Sequence, residues 1–146
     1  MSDRDDFVVR SPDDKIQLVV EAKTNLEASG DWAAQVRKNL LRYQMVPASP
    51  YFILALPDHF YVWKHADRVG TAQPDLTIDA RDVLSPYLKA LTSRLEDLSG
   101  ESFGLVVRTW LEDLVKAEPA AQSALPQQLQ ESELPARVKD GRVTGS

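Results

Sequence analysis

Cysteine is absent from this 146-residue chain, which excludes disulfides and thiolate metal centres and suits a cytoplasmic setting. Glycine is scarce, at six residues, and none falls in a phosphate-cradling loop or a nucleophile elbow. Nucleotide hydrolysis by a P-loop is therefore not expected. Histidine is limited to His59 and His65, with no third ligand near them in sequence, which argues against a zinc site. No apolar run reaches the roughly eighteen residues of a membrane-spanning helix. The opening residues, Met1 to Asp6, carry neither the basic nor the apolar region of a signal peptide. Positive charge is in deficit, with 17 Lys and Arg against 22 Asp and Glu, a net −5. Sequence-independent DNA binding draws on a strong positive field. A chain of this charge needs a local basic face, a partner or a metal ion to act on nucleic acid.

What is present is a core. Hydrophobic residues make up 43% of the chain, enough for one packed domain rather than a disordered polymer. Phe7 to Arg10 reads as a strand, and Ser11-Pro12-Asp13-Asp14 as a turn. Residues 15–23 form the return strand. Asp31 can cap a helix over residues 32–45, whose Trp32, Val36, Leu40 and Tyr43 recur at helical spacing. Residues 50–56 read as a strand buried on both faces, and residues 60–64 as its return. Strand, helix and strand in this order imply a parallel crossover.

Residues 65–78, with Gly70 and Pro74, read as a loop. Asp79 can cap a short turn through Leu84. Leu84, Leu88, Leu91, Leu95 and Leu98 predict a helix over residues 85–99, started by Pro86 and stopped by Gly100. A last helix is predicted over residues 102–117. From Glu118 the chain turns to Ala, Gln, Ser, Pro and Glu, the composition of a weakly ordered tail. Asp140-Gly141 could turn a small hairpin within it. The division expected is a domain over residues 1–117 and a tail over 118–146.

The chemistry-bearing pattern is Glu21-Ala22-Lys23, which closes the apolar run 16–20. Residues two apart on a strand share a face, so the carboxylate and the ammonium point the same way. A tight turn centred on Asp13-Asp14 sets position 6 opposite Glu21, and a longer loop centred on Asp13 sets position 5 there. Either way an aspartate, Asp6 or Asp5, lies about 5 Å from Glu21 at Cβ. Facing like charges are destabilising unless a cation or a proton lies between them. Two carboxylates and an ammonium at a sheet end suit a divalent cation and a phosphate. The plainer reading is a solvated N-terminus beside a surface charge pair.

This stretch, from Asp6 through the hairpin to Glu21-Ala22-Lys23, resembles the PD-(D/E)xK nuclease superfamily over roughly residues 5–64. Its signature is an aspartate at the start of one strand and Glu-x-Lys at the end of the next, followed by a helix. The literal Pro12-Asp13 falls in the turn, about 20 Å of strand away from Glu21, so Asp6 is the matching acid and Asp5 the alternative. The superfamily core opens with a helix, whereas about five residues precede the aspartate strand here. The chain is then trimmed, or a later helix takes that place.

The resemblance implies an α/β, restriction endonuclease-like fold, a mixed β-sheet flanked by helices. It implies catalytic roles for Asp6, Glu21, Lys23 and Gln35, with Mg²⁺ or Mn²⁺ held by Asp6, Glu21 and the Ala22 carbonyl. The partner implied is DNA, approached by a homodimer or within a larger restriction or repair assembly, with no membrane involved. Arg37, Lys38 and Arg42, on the helix after the motif, are candidates for phosphate contacts. Tyr43, Trp63 and Trp110 read as core. Two other readings stand beside the nuclease: a non-catalytic scaffold that keeps the fold, and a nuclease subunit that needs a partner.

Overall fold

The turn at Ser11 decides how the first two strands meet. In the computed structural model, which describes residues 5–66 and 73–145, β1 (Asp5–Arg10) and β2 (Ile16–Ala22) pair antiparallel. Asp14 N–H donates to Ser11 O at 2.8 Å, and Ser11 N–H donates to Lys15 O at 2.9 Å. Asp14 itself is left-handed, at φ 69°. The loop is thus centred on Asp13, and simple counting from there would set position 5 opposite Glu21. The ladder slips by one residue between Val9 and Arg10, however, and beyond this bulge Asp6 faces Glu21 and Asp5 faces Ala22.

The predicted crossover follows. Helix α1 (Gly30–Arg42) leads to β3 (Tyr51–Ala55), which lies parallel to β2. Its cap is Ser29, whose Oγ accepts the Trp32 N–H at 3.1 Å; Asp31, the expected cap, instead complements the helix dipole within the first turn. The helix stops before the expected Met45. Gln44 turns left-handed at φ 53°, Met45 N–H donates to Leu40 O, and Gln44 N–H donates to Leu41 O. That is a Schellman closure. β4 (His59–Lys64) returns antiparallel to β3, and β5 (Leu76–Asp79) pairs with β4. The sheet order is β5–β4–β3–β2–β1–β6.

β5 begins inside the predicted loop 65–78 and ends at Asp79, just past it; residues 67–72 of that loop, Gly70 included, fall outside the described residues. Its four residues are too few for a periodicity to register. Asp79 caps the short α2 (Ala80–Val83), as expected. The predicted helix 85–99 is instead two 3-10 turns, Ser85–Ala90 and Leu95–Asp97, with Leu91 and Arg94 extended between them. Thr92 and Ser93 are weak helix formers, whose hydroxyls compete for backbone groups. Gly100 does not stop a helix. It begins α3 (Gly100–Lys116), capped by the Ser99 hydroxyl, which accepts Ser102 N–H at 3.1 Å.

The largest correction concerns residues 118–146. They form α4 (Pro119–Ala124), α5 (Gln127–Glu131), α6 (Leu134–Val138) and β6 (Arg142–Gly145) rather than a tail. Leu125, Leu129, Leu134 and Val138 are buried against the sheet. β6 is no hairpin; it pairs antiparallel with β1, from Phe7 opposite Gly145 to Arg10 opposite Arg142. A polar composition hid four apolar anchors spaced by four or five residues.

The molecule is a mixed α/β sheet with helices on both faces. Phe7, Val9, Val20, Ile53 and Val62 face α3 and the C-terminal helices, with Phe103, Trp110 and Leu114 among their partners. Val19, Phe52, Leu54 and Trp63 face α1, under Ala33 and Leu40. Among the described residues no helix is long and apolar enough to cross a membrane.

Candidate metal centre

Strand alternation sends Asp6 and Glu21 to the α1 side of the sheet, the side of Val8 and Val19, and Lys23 follows one residue past the end of β2. Asp6 and Glu21 are direct cross-strand partners, and the row continues through Leu54 to Tyr61. Glu21 is 0% exposed, whereas Asp6 and Lys23 are half-buried. A carboxylate taken wholly out of water costs several kcal/mol unless a cation, a proton or hydrogen-bond donors compensate it. β2 ends at Ala22, but the ladder runs one bond further, with Lys23 N–H donating to Ala55 O at 3.0 Å. That amide points toward β3. In a trans peptide the preceding carbonyl points the opposite way, so the Ala22 C=O is directed toward β1, the strand of Asp6.

Two carboxylates therefore face each other across two strands, and the main-chain carbonyl of the next residue is directed between those strands. Hard oxygens of this kind suit Mg²⁺ or Mn²⁺ rather than softer ions. Among the described residues there is no cluster of three or more His, Asp or Glu side chains able to hold an ion. Any ion here would lean on the carbonyl and on water. Asp5 faces Ala22 in the ladder, and its side chain lies outside the described residues. Asp13 sits exposed in the turn at the far end of the hairpin, where a hydrogen bond from the Ser11 hydroxyl holds its carboxyl below the usual range.

The helix residues divide differently. Gln35 is exposed, and its amide donates to Asn39 Oδ1 at 3.2 Å, one turn along α1. Its side chain is turned along the solvent face, not brought onto the carboxylates. Arg37 is no surface cation. It is 7% exposed, its Nη2 donates to Ala66 O at 2.8 Å, and its guanidinium lies 5.8 Å from the Phe52 ring and 5.5 Å from the Trp63 ring. Burial pulls its pKa below the ordinary arginine value, partly offset by Asp75. Lys38 and Arg42 remain exposed. Trp63 and Trp110 are core, but Tyr43 is exposed, with the Arg42 guanidinium over its ring.

Sequence reasoning passed over Asp58 and Tyr61, which reach the loop between β2 and α1. Asp58 Oδ2 accepts Glu27 N–H at 2.8 Å, and the Tyr61 hydroxyl donates to Ala28 O. Burial raises the Tyr61 pKa, with the charge of Asp58 adding to it. The only sequence signal was an aspartate in the Pro57-Asp58 turn, a residue type that habitually accepts backbone N–H groups. His59 sits beside Asp58, its Nδ1 3.5 Å from Asp58 Oδ1, and His65 is exposed in a left-handed turn at φ 52°. The chain matches no protein-family model, no curated protein and no solved structure.

Proposed function

We propose that this chain is a metal-dependent phosphodiesterase acting on DNA, with a restriction endonuclease-like core of the PD-(D/E)xK kind. One observation carries the reading: Asp6 opposes Glu21 across the hairpin, with Lys23 one residue past the end of β2. The order hairpin, helix α1 and parallel strand β3 supports it. Asp6, Glu21 and the Ala22 carbonyl would hold Mg²⁺ or Mn²⁺. Such an ion, when bound, lowers the pKa of a water and offsets charge on the phosphate.

The chain's own residues supply the rest. Lys23 carries an ammonium two residues from Glu21, suited to orienting the attacking water and to stabilising the charge that develops on the phosphoryl oxygens. Gln35 joins only by releasing Asn39. Lys38 and Arg42, both exposed on α1, are the cations available to a phosphate backbone. With a net charge of −5 the general field does not attract DNA. A homodimer or a larger restriction or repair assembly would supply the missing affinity.

The test is cleavage of supercoiled plasmid in Mg²⁺ or Mn²⁺. Wild type should nick or linearise it, and Glu21→Ala and Lys23→Ala should each lose about a hundredfold in rate. Unchanged rates in both variants would remove the proposal. The complete burial of Glu21 favours a second reading, a scaffold that keeps the fold without the chemistry. Calorimetry separates the two. A nuclease centre binds Mn²⁺ and loses it in Asp6→Asn, whereas a scaffold gives no heat of binding.

A further inference from the structure

The chain between Lys23 and α1 is fastened at three points, all by residues of the β3–β4 hairpin. At its start, Lys23 N–H closes the ladder on Ala55 O. Four residues later, Glu27 N–H donates to Asp58 Oδ2 at 2.8 Å, a bond spanning 31 residues of sequence. Ala28 O then takes the Tyr61 hydroxyl, and Ser29 caps the helix. Only residues 24–26 lie between the first two fastenings. Glu27 holds a left-handed backbone, φ 57°, without being glycine. Such a conformation persists where the surroundings over-determine it, and the Asp58 carboxylate on Glu27 N–H and the Tyr61 hydroxyl on Ala28 O flank it.

We infer that Asp58 is a positioning residue for Lys23: by gripping Glu27 N–H it fixes the direction in which the chain leaves β2, and with it the reach of the Lys23 ammonium. This inference rests on the phosphodiesterase reading for Lys23. Asp58 touches neither ion nor substrate. Its other oxygen, Oδ1, lies 3.5 Å from His59 Nδ1, so the bond to Glu27 N–H is the one that ties the carboxylate to the loop.

Two substitutions separate positioning from charge. Asp58→Ala removes the acceptor for Glu27 N–H. Asp58→Asn keeps an acceptor oxygen there while removing the negative charge. The measurements are kcat and KM for plasmid cleavage, Mn²⁺ affinity by calorimetry, and hydrogen exchange at the Glu27 amide.

The expected result is a roughly tenfold fall in kcat for Asp58→Ala, with Mn²⁺ affinity within about twofold of wild type and Glu27 exchange faster by tenfold or more. Asp58→Asn should restore kcat and protection together. Equal loss in both variants would overturn the inference, because charge would then matter and not the grip. So would wild-type kcat in Asp58→Ala, or a loss of activity that merely follows the loss of folded protein in a thermal melt.

A wild-type chain that neither binds Mn²⁺ nor cleaves DNA would sink the phosphodiesterase reading, and Lys23's role with it. Exchange at Glu27 would still judge the grip itself. Unchanged Glu27 exchange in Asp58→Ala overturns the grip whatever the activity.

Discussion

Replacing Leu129 with alanine tests whether the C-terminal quarter belongs to the fold. Leu129 is 1% exposed and packs in the same cluster as Trp110, Leu134 and the sheet residues Val20 and Ile53. Truncating a leucine so placed removes its transfer free energy and leaves a cavity, together costing about 2–5 kcal/mol. For a chain of this size each kcal/mol moves the melting temperature by about 2–4 °C, so a mid-range loss of about 3 kcal/mol lowers Tm by roughly 6–12 °C. Gln128→Ala, one residue away on the exposed side, should stay within about 0.5 kcal/mol of wild type. Urea titration followed by tryptophan fluorescence is the assay, since Trp110 lies in the affected core. A second arm is Tyr51→Phe. The Tyr51 hydroxyl donates to Ser132 O at 2.6 Å in a buried site, and leaving that carbonyl unmet costs about 1–3 kcal/mol. If Leu129→Ala and Gln128→Ala melt together, and Tyr51→Phe melts with them, the segment is a tail and the packing described above is wrong.

Three further outcomes are expected. Arg37→Met should lose about 1–3 kcal/mol in urea unfolding, because the Ala66 carbonyl loses its donor and the Phe52 and Trp63 rings lose their cation; stability equal to wild type would show that the buried guanidinium contributes nothing. Burial, reinforced by the hydrogen bond to Asp113, raises the Tyr87 hydroxyl above its ordinary pKa of 10.0, so the folded state favours the neutral phenol. The stability it contributes is whole below pH 10 and is lost as pH rises beyond that, and Tyr87→Phe should flatten the alkaline limb of a Tm–pH curve; an unaltered limb refutes it. Saturation with Mn²⁺ at a hundred times Kd should stabilise wild type by about 2.7 kcal/mol, or roughly 5–11 °C in Tm, and Glu21→Gln not at all; an equal shift in both would place the ion elsewhere.

Legibility in the sequence followed the size of each signal. The β2–α1–β3 crossover was readable because β3 is apolar throughout and α1 repeats its apolar positions over three turns. β5 has four residues and left no such trace. The leucines of residues 84–98 carry a helical period, yet the backbone follows Pro86, Thr92 and Ser93 into separate 3-10 turns, and only Leu84 and Leu95 are fully buried. The C-terminal segment failed the other way. Its composition is that of a tail, but Leu125, Leu129, Leu134 and Val138 each find the sheet, and burial depends on where four side chains land, not on the average of twenty-nine.

The candidate site shows how near a sequence can come to a register. Counting from the turn left two answers, position 5 or 6 opposite Glu21, because the turn had two possible centres, and each count took the ladder as unbroken. The loop centre at Asp13 favours 5; the bulge at Val9 and Arg10 restores 6. Physics selects between them through the partner faces. Without the bulge, Gln17, Val19 and Glu21 would share a face with Phe7 and Val9 and enter the larger core, against Phe103 and Trp110. With it, Leu18, Val20 and Ala22 take those places, and all three are buried in that core. A slip of one residue flips every side chain of a strand. Carrying the half-exposed Gln17 into that core, against aromatic rings, would cost about 1–3 kcal/mol for its desolvated amide, whereas the bulge leaves one residue unpaired. The same exchange that fills the core with Leu18 and Val20 carries Glu21 to the opposite face, beside Asp6. The pairing of carboxylates is thus a consequence of how the hydrophobic residues of β2 are disposed, and Leu18, Val20 and Ala22 hold it in register.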